Sequence, residues 1–194
     1  MSVFVRHPVD VPSISNGFGD VGWRIHYGID YTPPTPGQQG VIVYAPADMF
    51  IVWARGEGFA ANNPWEQLPN NGDNGNSIIA AHPAPNQAVY SMYCHLAEIW
   101  VKEGQFVKAG TPIGVMGWTG YILPKNQNGT HLHWEVFIDY ADGAYPEGTF
   151  YGRVDPLDYF AIETVVPIAP GGEGASSVGT PEPLLIEGIE GIYA

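Results

Sequence analysis

"GTHLHWEV", Gly129–Val136, carries a clear alternation from His131 to Val136, and the apolar Phe137 and Ile138 follow it. Polar and apolar residues take turns from His131 onward, the period of a half-buried strand. His131, His133, Glu135 and Phe137 then share one face, and Leu132, Trp134, Val136 and Ile138 share the other. The second face is uniformly apolar and turns to a core. The first projects two imidazoles whose β-carbons are roughly 6.5–7 Å apart by strand rise. At that spacing one can bind a metal while the other stands beside it.

Working outward, strand-like runs recur between turn residues: "VIVYAP" (41–46), "MFIVWAR" (49–55), "NSIIAAH" (76–82), "AVYSMYCHL" (88–96) and "TPIGVMGW" (111–118). Runs of this length and spacing predict an all-β, antiparallel sandwich or barrel. The 25 glycines and 18 prolines speak against a helical protein. A single short helix is predicted over "DPLDYFAI" (155–162), with Asp155 as N-cap and Pro156 at the first helical position. Two polar stretches, 56–76 and 120–129, read as long loops, where specificity can vary without disturbing the scaffold.

The domain is expected to span 1–163. A Gly/Ser/Pro linker follows over 164–183, then an apolar-acidic tail, "LLIEGIEGIYA" (184–194), suited to docking on a partner. A net charge of −13 argues against a nucleic-acid partner. No apolar run reaches the ~18–20 residues that cross a bilayer, so no membrane insertion is expected. The amino terminus, "MSVFVRHPVD", lacks the apolar core of a signal peptide. Cys94, the single cysteine, rules out an intrachain disulfide. Beside His95 it suggests a thiol dyad only on paper, because strand neighbours point to opposite faces, and it reads as a small core residue.

A second fragment, "HYGID" (26–30), brings His26 and Asp30 close in sequence. Gly28 and the "TPP" that follows disfavour a helix, so a loop running into a strand is expected, with Asp30 at the strand entry. His26, Asp30 and one imidazole of the HxH pair make a three-ligand set suited to Zn²⁺, with a fourth position left for water. The remaining imidazole suits a general base or a donor to developing charge. His95, in "YCHL", flanks the same water if its strand lies beside the first. Glu135 is a candidate to orient a ligand imidazole. His82 reads as structural, and His7 has no partner motif. Asn16 and Asp20, which precede "HYGID", are candidates to line the cleft and carry no assigned role.

The order "HYGID … YSMYCHL … GTHLHWEV … VDPLDYF" resembles the lysostaphin-like zinc endopeptidases of the M23 family, from about Gly17 to Phe160. The resemblance implies a barrel-sandwich hybrid fold, zinc ligands His26, Asp30 and His133, and catalytic roles for His131 and His95. It also implies peptide bonds of bacterial peptidoglycan as substrate. Met49 stands where the family usually has a turn glycine, and 56–75 and part of 121–129 look like insertions that shape the substrate groove. The expected setting is a bacteriophage virion, with the tail 184–194 docking on phage tail proteins at the tail tip. The alternatives are an endolysin released from the host cytoplasm and an inactive scaffold that binds wall or activates another hydrolase. A carrier domain fits less well, since Lys108 precedes the Ala109–Gly110 turn of "VKEGQFVKAGTPIG" (101–114) instead of sitting at its tip. A phosphocarrier with paired histidines has no need of Asp30.

Overall fold

The computed structural model describes residues 2–22, 24–56, 74–84, 88–139 and 152–160. The predicted linker 164–183, the tail 184–194 and nearly all of the 56–75 loop lie outside the described residues. In chain order the strands are β1 (Ile14–Asn16), β2 (Gly19–Asp20), β3 (Ile25–His26), β4 (Ile29–Tyr31), β5 (Ile42–Tyr44), β6 (Met49–Arg55), β7 (Asn76–His82), β8 (Ala88–Leu96), β9 (Glu98–Ile99), β10 (Phe106–Val107), β11 (Pro112–Val115), β12 (Leu132–Asp139) and β13 (Arg153–Val154).

Among the described residues every pairing between these strands is antiparallel. The main sheet runs β1-β4-β12-β8-β7-β6-β10, with β13 pairing along β12 beyond the end of β4. A three-stranded sheet, β5-β11-β9, and the β2–β3 hairpin complete the described fold. The expected all-β, antiparallel architecture is the one observed. The predicted helix is shorter and tighter than expected: a 3-10 turn over Pro156–Tyr159, capped by the Asp155 carboxylate accepting from Leu157 N–H. Four residues fix too few backbone bonds to sustain an α-helix.

The alternation in β12 sorts as the sequence predicts. Leu132, Trp134 and Val136 enter the main core with Ile29, Tyr31, Ile78 and Tyr93, all of them buried. Phe137, on the opposite face, joins a smaller cluster with Trp53, Ile79, Met92 and Cys94. Apolar packing therefore grips β12 from both sides, which holds its histidines on a stiff support. Met49 is not a turn residue. It begins β6, fully buried, with its sulfur 3.7 Å from the Tyr93 hydroxyl, because the apolar side chain gains more from the core than from the turn.

Candidate metal centre

β4 and β12 set His133 directly opposite Asp30. The two strands meet closely because Gly28 has no side chain. A β-carbon there would run into the carbonyl oxygen of Trp134 and stand 2.9 Å from its carbonyl carbon. His26 comes from β3, where pairing of Gly19 with His26 fixes the backbone. The short loop through Tyr27 and Gly28 then brings His26 back over Asp30.

Three atoms converge. His133 Nδ1 lies 2.8 Å from Asp30 Oδ1, and His26 Nε2 lies 3.1 Å from each of them. The outer nitrogens identify the tautomers. His26 Nδ1–H donates to Gly17 O at 2.7 Å, and a carbonyl can only accept. His133 Nε2–H donates to Glu135 Oε1 at 3.0 Å. His26 Nε2, His133 Nδ1 and Asp30 Oδ1 thus gather within 4.8 Å of one another, the convergence of donor atoms that a metal ion collects. Burial alone would lower the His133 pKa, but hydrogen bonds to Asp30 and Glu135 overcome it and raise it to about 9. Burial likewise opposes the Asp30 charge, yet His133 and His26 hold its carboxyl far below the usual carboxylate range. Two imidazoles and one carboxylate form a donor set that fits zinc.

The other two imidazoles flank this trio. His131 Nδ1–H donates to Gly129 O at 2.8 Å, and His95 Nδ1–H donates to Thr119 O at 2.9 Å. In both rings Nε2 is left as a lone pair. His131 Nε2 is 3.9 Å from Asp30 Oδ1, and the His95 and His131 ring centroids are 4.7 Å apart. Burial is the largest cause lowering both pKa values, with His95 pushed down to about 3. Both rings are therefore neutral near neutral pH, with Nε2 unprotonated.

His95 reaches this place by breaking the strand's rule. Its φ is +62°, a left-handed conformation rare for a residue with a side chain, at a register shift between β7 and β8. Regular alternation would have sent it away from His133, because Cys94 occupies the position opposite that residue. Cys94 is fully buried as expected, but it lies on the histidine face of the sheet, in the smaller apolar cluster. Burial raises its thiol pKa well above the ordinary value, so no thiolate stands beside His95.

Outer contacts hold each ligand. Asn16 Nδ2–H donates to Asp30 Oδ2 at 2.9 Å, leaving Oδ1 to face the histidines. Glu135, buried behind His133, accepts from Arg153 Nε–H at 2.6 Å. Arg153 escaped the sequence reading, since nothing in "GRVDP" marks it and only the β12–β13 register brings it near. Asp20, whose carboxylate accepts from Gly22 N–H, is exposed at a turn and takes no part in the ligand cluster. His82 bonds Ser91 Oγ at 2.7 Å and packs edge-on against Phe4 in the core. His7 Nδ1 bonds the Tyr31 hydroxyl at 2.7 Å. The 120–129 loop is anchored by the 3-10 turn Gln127–Gly129 and leaves Tyr121 and Leu123 exposed.

Comparison with known proteins bears on this geometry. The profile of peptidase family M23 matches residues 24–144. Peptidoglycan DD-endopeptidase ShyC of Vibrio cholerae is 29% identical over 145 residues, covering 70% of this chain and 27% of that protein. The chain thus spans about a quarter of the length of the curated relatives it matches. Among solved structures, a zinc containing peptidase from Vibrio cholerae is 28% identical with a TM-score of 0.53, covering 79% of this chain and 39% of that one. The catalytic domain of lysostaphin from Staphylococcus simulans is 26% identical with a TM-score of 0.52, covering 76% and 91% respectively.

Proposed function

This chain belongs to peptidase family M23, and on that footing we propose that it is a zinc-dependent endopeptidase hydrolysing peptide cross-links of bacterial peptidoglycan. The observation that carries the proposal is the convergence of His26 Nε2, Asp30 Oδ1 and His133 Nδ1 on one point from distant parts of the sequence. Zinc held by these atoms would supply a Lewis acid for the scissile carbonyl and would lower the pKa of an attacking water. His131 or His95 accepts the proton of the attacking water at Nε2 as its oxygen adds to the carbonyl carbon, then returns it to the leaving amine, so that the peptide bond breaks with one water consumed. The other imidazole donates to the oxyanion. The backbone carbonyls of Gly129 and Thr119 keep both rings in the orientation these roles need.

For the scissile bond we propose a DD cross-link, in keeping with the DD-endopeptidase names of the Vibrio cholerae relatives, which are 29–32% identical. An inactive scaffold has no need of three ligand atoms gathered within 4.8 Å of one another. Mass spectrometry of muropeptides released from several wall types tests the proposal, with His133→Ala as control. Release of cleaved cross-links by the parent alone is expected.

The biological setting we propose is a bacteriophage virion, with residues 1–163 as the peptidase, 164–183 as linker and 184–194 docking on tail proteins. Support comes from the composition of the segment after residue 163: a Gly/Ser/Pro run, then an apolar-acidic stretch. Deleting 184–194 should abolish incorporation into particles and spare peptidase activity. Unchanged incorporation would favour an endolysin acting at host lysis.

A further inference from the structure

We propose that Arg153 is a positioning residue for the metal centre, acting through Glu135 to fix which nitrogen His133 presents; this rests on the zinc reading above. Arg153 lies on β13, after the 24–144 segment that the family profile matches. In the β12–β13 register it stands opposite Phe137, and so shares the sheet face of Glu135 and His133. From there its guanidinium reaches back along β12. Nε–H donates to Glu135 Oε2 at 2.6 Å, and Glu135 Oε1 accepts His133 Nε2–H at 3.0 Å. Arg153, Glu135 and Asp30 are all at least 95% buried, so water contributes little to holding these groups in place.

Two consequences follow from this chain of contacts. The first is orientation. An imidazole can offer either nitrogen to a metal, and the bond made by its other nitrogen decides which. Glu135 makes that bond, but a carboxylate anchored on one oxygen only is free to turn. Arg153 occupies the second oxygen and stops the rotation. The second is charge. Asp30 and Glu135 together would cancel a divalent ion, whereas Arg153 neutralises Glu135 and restores a net charge near +1. A positive centre is what polarises a carbonyl and favours hydroxide. The guanidinium also lies over the Tyr27 ring, 5.1 Å from its centroid, and Tyr27 adjoins His26. One side chain thereby braces the segments that carry two of the three ligands.

The test is a chelator-competition titration of Zn²⁺, with the absorption spectrum of the Co²⁺-substituted protein, on the full chain and on Arg153→Met, Arg153→Lys and Arg153→Met/Glu135→Gln. Circular dichroism of the metal-free proteins identifies the variants that fold. Arg153→Met should bind Zn²⁺ about 10–100-fold more weakly and alter the Co²⁺ spectrum. Arg153→Lys, which keeps the charge without the rigid planar fork, should fall between it and the parent. The double variant, in which a neutral amide still accepts from His133, should regain part of the affinity. Parent-like Zn²⁺ affinity and Co²⁺ spectrum in Arg153→Met overturn the proposal. If that variant does not fold, parent-like values in Arg153→Lys do so instead. A parent chain that binds no Zn²⁺ would overturn the metal reading itself, a result distinct from either.

Discussion

His133 Nδ1 stands 2.8 Å from Asp30 Oδ1, across 103 positions of sequence. Cross-strand pairing of β12 with β4 sets that distance. The centre is therefore a property of the sheet register. Changes to the ligands and changes to the register should be separable by experiment.

Removing a ligand should remove the metal and the activity together. His133→Ala and Asp30→Asn should each lower muropeptide release by about a thousand-fold or more, since Lewis-acid stabilisation is worth several kcal/mol. Zinc content measured on the same preparations should fall in parallel. Full activity in either variant would count against these residues as ligands.

Replacing a flanking imidazole should separate catalysis from binding. His131→Ala and His95→Ala should retain zinc while losing about 10²–10⁴ in kcat, the usual scale for general acid–base groups. A variant that loses zinc as well would place that histidine in the coordination sphere instead.

Much of this arrangement was legible before the fold was known. "MFIVWAR", "NSIIAAH" and "AVYSMYCHL" coincide residue for residue with β6, β7 and β8, because alternating β-branched and aromatic residues leave few other ways to bury an apolar face. "HYGID" pointed to a strand entry, and β4 begins at Ile29. The two- and three-residue strands β1 to β3 were not read, since they carry too few apolar positions to show a period. The left-handed turn at His95 was equally hidden: a bulge depends on the partner strand's register, and period two alone places Cys94 on the wrong face. Arg153 belongs to the same class, a charge whose meaning comes from the strand it pairs with.

Gly28→Ala should damage the register itself. The added β-carbon meets the backbone of Trp134, which cannot yield as a flexible side chain would. A stability loss of about 3 kcal/mol is expected in urea unfolding of the metal-free protein, at the upper end of ordinary overpacking costs. Weaker zinc binding should accompany it. An unchanged midpoint would show that β4 and β12 have room to separate.

Buried His82 should make the fold acid-sensitive independently of the metal. Burial is the main cause that depresses its pKa from 6.5 to about 4. The unfolded chain therefore binds a proton that the native protein refuses between those values. Stability is full above pH 6.5 and declines as pH falls toward 4, by about 3 kcal/mol in total. Urea unfolding of metal-free protein at about pH 7.5 and about pH 4.5 should show a larger loss for the parent than for His82→Asn, by about 2–3 kcal/mol. Equal losses would mean that His82 does not stay neutral in the fold.

Anomalous scattering from crystals of the zinc-loaded chain, recorded on both sides of the zinc absorption edge, tests the central claim most directly. The expected result is one peak about 2.0–2.2 Å from each of His26 Nε2, Asp30 Oδ1 and His133 Nδ1. Zinc bound elsewhere, with none touching these three atoms, would contradict the account.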